Sequence, residues 1–275
     1  VEKAKELALQ NIRDIETILR WNEKNNIKVF RLSSDIFPHF TDTDTEKYTI
    51  DFAKAELKRV GEIANGFGHR ILMHPGQYNQ VGAKDEKVFQ KTIDDLQHHA
   101  DILDAMGFDE NGVLIVHGGG LYGEKEKTKS RWVEQYFKLS ESIRKRLVLE
   151  HCERCYSVHD CLDISNRIRD KGGCLPVVFD THHFSCYAQL HPDVDTGRAS
   201  IAIKEVLKTW GSKRPVFHIS NQGSGRVGHH SDFIDHFPKY LFNLAENGVQ
   251  FDLEVEAKMK EEAIAKLYKM FPFAF

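Results

Sequence analysis

Short, nearly continuous apolar runs recur along the chain, and longer amphipathic stretches lie between them. The runs are KVFRLSS (28–34), RILMH (70–74), VLIVH (113–117), RLVLEH (146–151), PVVFD (176–180), PVFHIS (215–220) and FDLEVEA (251–257). Apolar character on successive residues marks strands covered on both faces, as in a parallel sheet. Between them, EKYTIDFAKAELKRVGEIANGFG (46–68), DEKVFQKTIDDLQHHADILDAMG (85–107) and DTGRASIAIKEVLKTWG (195–211) each predict a helix that closes on glycine. The runs begin roughly 30 to 43 residues apart, the length of a βα unit with its loop.

This alternation predicts a parallel α/β architecture, and about eight such units close into a TIM-type (β/α)8 barrel. The runs stop at seven, and residues 1–25 predict a helix with no strand before it. The first strand of an eight-stranded barrel is therefore expected to be missing from this chain, as a truncation would leave it. No Pro- or Ser-rich linker, internal repeat or low-complexity segment divides the sequence, so residues 1–275 are expected to form one domain.

Composition narrows the picture. Hydrophobic residues make up 41% and charged residues 29%, enough for both a sizeable core and a solvated surface. No apolar run approaches the ~18 residues of a membrane span, and the opening VEKAKELALQN is charged and amphipathic, so a soluble intracellular protein is expected. A net charge of −3 does not announce a nucleic-acid binder, although bound divalent cations would supply their own positive field. Five cysteines are an odd number in a chain too large to need a disulfide framework. Cys152 and Cys155 form a lone C-x-x-C and are read as free thiols at a strand end. Fifteen histidines are the unusual count, because histidine is the commonest metal ligand.

Their placement carries the functional signal. At or just after the ends of the runs stand His39, His74, His117, Glu150, Asp180 with His183, His218, His230 and Glu256. Barrel enzymes place their chemistry at the C-terminal ends of the strands and in the loops that follow. One such histidine alone would be an ordinary loop residue; a His, Asp or Glu after every run points to a shared metal site. Nine candidate ligands exceed the four or so that one ion takes, so two or three ions are expected, with a carboxylate such as Glu150 bridging. Imidazole and carboxylate without thiolate suit zinc or manganese, and the pattern does not choose between them. Ions ~3.5–4 Å apart can activate a water and stabilise a leaving phosphate oxygen, which suggests phosphodiester hydrolysis.

RLSSDIFPH, MHPGQYNQV, IVHGGG, LVLEHCE, VFDTHHF, FHIS, HHSDFI and EVEAKMKEEAI occur in this order and together resemble the UV damage endonuclease family, over residues 8 to about 265. The resemblance implies a TIM barrel related to endonuclease IV and the xylose-isomerase-like group. It also implies up to three divalent ions, with manganese the usual cofactor and zinc or magnesium as substitutes. The implied activity is a nick in damaged double-stranded DNA on the 5′ side of ultraviolet photoproducts, with abasic and other distorting lesions within range. Carried over by motif, His74 and His117 would hold one ion, with Glu150 bridging to a second that Asp180, His218 and Glu256 complete. His183 and His230 would hold a third, and His39 would be an outlying ligand. Gln77 and Tyr78 would enter the duplex and fill the space left by flipped nucleotides, offsetting lost stacking. Two departures stand out. Val216 occupies a position where the family commonly has a lysine, and the family's N-terminal aromatic segment is expected to be missing together with the first strand.

Further candidates follow from position. Glu150 and Lys258 are read as catalytic, Lys258 as a contact to phosphate or to developing charge. Lys260 is weighed between that role and a solvated loop. Gly118–Gly120 would let backbone approach DNA or metal, and Asn221, Gln222 and Ser224 could bind the DNA backbone. Ser33, Ser34 and Asp35 read as turn residues, and His182 as an orienting partner of the ligands. The remaining histidines read as surface or packing residues. The alternatives are a sugar isomerase or epimerase of the xylose-isomerase-like group, a general abasic-site endonuclease, and a silent lesion-binding protein. No membrane partner and a monomer are expected, placed in the cytoplasm or nucleoid of a bacterium or the nucleus of a eukaryote.

Overall fold

A computed structural model describes residues 1–41 and 48–272. The chain divides into two compact units, Val1–Val148 and Leu149–Phe275. In the first are α1 (Glu2–Lys24), β1 (Val29–Leu32), α2 (Lys54–Gly66), β2 (Arg70–Met73), α3 (Glu86–Ala105), β3 (Val113–His117), α4 (Lys125–Tyr136) and α5 (Glu141–Arg144). The boundary falls within β4 (Leu147–Glu150). The second continues through α6 (Val158–Asp170), β5 (Val177–Asp180), α7 (Thr181–Leu190), α8 (Ala199–Thr209), β6 (Val216–Ile219), α9 (Lys239–Glu246), β7 (Asp252–Val255) and α10 (Lys260–Met270).

Each of the seven apolar runs is a strand, and the order follows the chain: β1-β2-β3, then β4-β5-β6-β7. Pairing is parallel, with Val29 opposite Arg70 and Leu72 opposite Val113 in the first unit. In the second, Glu150 lies opposite Val178, Asp180 opposite His218 and His218 opposite Glu254. The register sets candidate ligands on neighbouring strands at the same level. β2, β4, β5 and β6 are buried throughout, as their unbroken apolar character requires.

The helices form where their patterns predict, with two corrected starts. α1 buries Ala8, Ile12, Ile15, Leu19 and Asn22, a stripe of three- and four-residue steps. α3 starts where Asp85 accepts the N–H groups of Lys87 at 2.7 Å and Val88 at 3.3 Å. The helix predicted over 46–68 begins at Lys54 after a short 3-10 turn at Asp51–Ala53; residues 46 and 47 lie outside the described residues. Thr49 binds both the N–H and the carboxylate of Asp51, a local turn that competes with helix. The helix predicted over 195–211 begins only at Ala199. Asp195 accepts the Gly197 N–H at 2.9 Å, and Gly197 has φ +65, outside the helical region. None of the five cysteines forms a disulfide among the described residues, and no helix among them is long and apolar enough to cross a membrane.

Candidate metal centre

In the second unit the centre is assembled from four strand ends. Glu150 closes β4 and is 1% exposed, Asp180 closes β5 and is 0% exposed, His218 is buried in β6, and Glu256 follows β7. Asp180 does a second job, because α7 begins on the next residue. One of its carboxylate oxygens accepts the N–H groups of His182 at 2.7 Å and His183 at 2.6 Å, capping the helix. This direct strand-to-helix step brings His183 back beside the strand ends. The other oxygen, Oδ2, is buried and accepts no hydrogen bond from a described residue. It lies 3.9 Å from His218 Nδ1.

Within the second unit alone, two sets of three have one ligand atom per residue within 4.8 Å of the others: Glu150, Asp180 and His183; and Asp180, His218 and Glu256. His218 Nδ1 is 2.9 Å from Glu150 Oε1 and 4.0 Å from Glu256 Oε1. Its other nitrogen, Nε2, faces Glu254 Oε2 at 3.3 Å. A carboxylate on the far nitrogen fixes ring orientation and leaves the near nitrogen for the ligand set. His230 reaches the group through Glu256, with Nε2 3.7 Å from Oε2. His183 Nδ1 meets Glu153 Oε2 at 3.1 Å.

Electrostatics show what this arrangement suits. Glu150, Asp180 and Glu254 are buried carboxylates packed around a few imidazoles. Buried charge is tolerated when it is paired or bound to metal. Burial opposes a charge on His183, but Asp180, Glu153 and Glu150 outweigh it and raise its pKa to about 10. His218 is likewise raised well above its ordinary value: burial opposes the charge, and Glu150 and Glu254 overcome it. His182 moves down, chiefly through burial. The nitrogen and oxygen donors, together with the unbonded Asp180 oxygen, fit one or more divalent cations.

A pH dependence follows. The His183 pKa stands at about 10, above the 6.5 of an ordinary imidazole. Its protonated form stabilises the metal-free fold fully below the lower value, and the contribution fades as pH rises through the higher one. A cation that used His183 would have to displace that proton. Affinity for a divalent cation is therefore expected to rise with pH between these limits, by up to about tenfold per unit for one proton displaced. Titration calorimetry in buffers of different ionisation enthalpy should register the released proton; a pH-independent affinity without proton release would contradict the assignment.

The first unit holds the other candidates. His74 follows β2 and His117 ends β3, with ring centroids 5.1 Å apart, close enough for both imidazoles to face a common ligand. His39 is exposed on a turn at φ +59, and no potential ligand group among the described residues includes it. Gln77 is exposed and Tyr78 is 60% exposed. The Tyr78 hydroxyl nevertheless donates to Asp95 of α3 at 3.2 Å, and the ring lies against Gly76, where any Cβ would sit 2.4 Å from it. Asp95 is buried and also accepts from Asn79 at 2.7 Å. Asp95→Ala is expected to speed hydrogen exchange across residues 76–80 and to destabilise the fold by about 1–3 kcal/mol, because the Asn79 amide loses a buried partner. Exchange mass spectrometry and urea denaturation test this, and unchanged protection would refute it.

Asn221 is engaged within its own loop. Its amide donates to the carbonyls of Ser220 and His236 and accepts the N–H groups of Asp235 and His236, stapling the loop that carries His230. Lys258 is exposed, and its N–H binds the Ser231 carbonyl at 3.0 Å. Sequence reasoning missed Glu254 and Glu153. Glu254 was signalled by the Glu-Val-Glu alternation, which turns positions 254 and 256 to one face of the strand. Glu153 lies in an irregular loop where no periodicity applies.

These features define a class: a parallel βα protein with a buried carboxylate–imidazole set suited to divalent cations. The model of the family UV-endonuclease UvdE matches residues 1–273. A putative UV-damage endonuclease of Acanthamoeba polyphaga mimivirus is 36% identical over 278 residues, covering 96% of this chain and 79% of that protein. The UV-damage endonuclease of Schizosaccharomyces pombe is 32% identical and is matched over 98% of this chain but only 45% of its own length. The crystal structure of SacUVDE superposes with a TM-score of 0.84 at 31% identity, over 98% of this chain and 89% of that one. Endonuclease IV from Thermus thermophilus shares the fold, with a TM-score of 0.62 at 16% identity over 94% and 93%. The fold is a TIM-type barrel, and the chain belongs to the UV-endonuclease family, whose relatives are named UV-damage endonucleases.

Proposed function

We propose that this chain is a metal-dependent DNA repair endonuclease that hydrolyses the phosphodiester bond 5′ to ultraviolet photoproducts, and that it also acts at abasic or other distorting lesions. Membership of the UV-endonuclease family supports the substrate class. One observation carries the metal dependence: Asp180, 0% exposed, keeps a buried carboxylate oxygen that accepts no hydrogen bond from a described residue, beside the buried Glu150 and His218.

Two or three divalent ions are proposed, manganese first and zinc or magnesium as substitutes. Glu150, Asp180, His183, His218, His230 and Glu256 would supply ligands from the second unit, and His74 and His117 from the first. Bound ions of this kind lower the pKa of a water and neutralise charge on the transferred phosphate. The protein's own part is to hold the ligands: Glu254 orients His218, Glu153 braces His183, and the α7 N-terminus steadies Asp180. Exposed Lys258, close after Glu256, is proposed to meet the phosphate backbone. His39 is proposed as an outlying ligand, and Asn221 as a contact to the backbone through the loop it staples. Gln77 and Tyr78 are proposed as the lesion probe. For Tyr78 this requires release of the Asp95 hydrogen bond, a modest cost beside the base–aromatic stacking it would gain.

The test is incision of a defined duplex carrying one photoproduct by metal-stripped protein resupplied with Mn, Mg or Zn. Cleavage 5′ to the lesion with at least one metal is expected. Failure on both lesion and abasic DNA with every metal, alongside turnover of a sugar, would sink the proposal. Tyr78→Ala should weaken discrimination between damaged and intact duplex by about tenfold while metal content stays intact; unchanged discrimination would remove the probe role.

A further inference from the structure

The loop after β3 carries a tyrosine that the metal chemistry does not use. Tyr122 is 40% exposed and holds φ +50, a conformation that bulky side chains rarely adopt. Gly119 at φ +84 and Gly123 at φ +80 bracket it, and His117 lies five residues before it. Such a backbone persists only where its surroundings over-determine it, and strained positions cluster at functional sites.

Those surroundings can be named. The Tyr122 hydroxyl donates to Gln80 Oε1, and the Gly120 N–H donates to the same oxygen at 3.2 Å. A Cβ at Gly119 would lie 3.3 Å from Gln80 Cγ, so glycine there lets the two loops meet closely. Gln80 is in turn pinned to α3, its N–H donating to Thr92 Oγ1 at 3.0 Å. The Arg131 guanidinium lies 5.5 Å from the centre of the Tyr122 ring. Arg131 also donates to the Gly82 carbonyl at 2.8 Å and to Thr128 at 3.0 Å. Gln80 and Arg131 thus lock the loop that bears Gln77 and Tyr78 to the loop that bears Tyr122.

We infer that Tyr122 is a second aromatic platform for DNA, stacking on a nucleobase through one face while Arg131 packs over the other and adds positive charge. This rests on the reading of the chain as a lesion endonuclease. The chemistry supports it. An exposed, preorganised aromatic beside a guanidinium is what recognises a splayed base, and such stacking is tolerant of sequence. A loop-to-loop strut needs only the hydroxyl, whereas 40% exposure leaves ring surface for a partner. Two exposed aromatics on linked loops would let the protein grip more than one nucleotide around a distortion.

The experiment compares wild type, Tyr122→Ala and Tyr122→Phe in incision of a photoproduct duplex, with metal content and melting temperature as controls. A second duplex carries 2-aminopurine next to the lesion, so that stacking on an aromatic ring quenches its fluorescence. Tyr122→Ala is expected to raise KM about tenfold with a smaller change in kcat and to lose quenching. Tyr122→Phe, which keeps the ring and loses the tie to Gln80, is expected to retain most of both. If Tyr122→Phe is as weak as Tyr122→Ala, the residue is a strut and the inference falls. Wild-type incision with unchanged KM and quenching in Tyr122→Ala overturns this inference alone. Absence of wild-type incision overturns the endonuclease reading and this inference with it.

Discussion

Glu150→Gln is expected to lose bound metal and incision together, with the single-turnover rate falling by about 10²–10³. The substitution keeps the volume of the side chain and removes one charge. The carboxylate is 1% exposed and sits where both sets of potential ligands can use it. It belongs to one set with Asp180 and His183, and its Oε1 is 2.9 Å from His218, a member of the other. A neutral amide accepts hydrogen bonds but binds a hard cation weakly, so the loss falls on metal affinity before it falls on chemistry. Loss of an outer partner alone typically costs about 10–100-fold in affinity, and a shared direct ligand should exceed that. Metal per chain by plasma mass spectrometry and incision of one defined lesion form the paired measurement. Full metal occupancy with a wild-type rate would exclude Glu150 from the centre.

What the sequence makes legible here follows from locality. The apolar runs are strands because a strand buried on both faces cannot carry polar alternation, so VLIVH and PVVFD declare themselves. Parallel pairing then sets the strand ends side by side, which is why Asp180 and His218 share a register level. Side-chain commitments made across distance were not legible. Asn221 reads as a free loop amide until the loop folds back and residues 235 and 236 take its oxygen. Tyr78 reads as an exposed wedge, yet Asp95, seventeen residues on, holds its hydroxyl. That contact exists only once α3 packs beneath the loop. His39 follows a run as the other candidates do, but its left-handed backbone and exposure place it on a turn. Spacing reports which strand end a residue occupies and not which way a loop carries it.

Arg146→Met is expected to destabilise the fold by about 2–4 kcal/mol, through carbonyl groups more than through an ion pair. Arg146 is 1% exposed and stands just before β4. Its guanidinium donates to Ala100 O at 3.3 Å, Phe108 O at 2.8 Å, Asp109 O at 3.3 Å, Ser142 O at 3.4 Å and Ser142 Oγ at 3.1 Å. It also meets Asp104 Oδ1 at 2.9 Å. The Asp104 side chain is 41% exposed, so solvent screens the pair and its share is no more than about 1 kcal/mol. The larger cost is the lost donor to Phe108 O, at about 1–3 kcal/mol, with smaller losses at Ala100 O inside α3 and at Asp109 O, which keeps the Gly112 N–H at 3.2 Å. Methionine restores the apolar volume and none of the bonds. Arg146→Lys keeps the charge but has a point-like ammonium where a planar fork serves several acceptors, so it should recover only part of the loss. The β3 strand that ends in His117 is tied to this residue by the Leu114 N–H to Arg146 O bond at 2.8 Å. Loosening here should therefore lower the urea midpoint while the folded fraction keeps its metal stoichiometry. Equal midpoints for Arg146→Met and wild type would show that the carbonyls find other donors, and equal loss in Arg146→Lys and Arg146→Met would show that the fork, and not the charge, holds the loop.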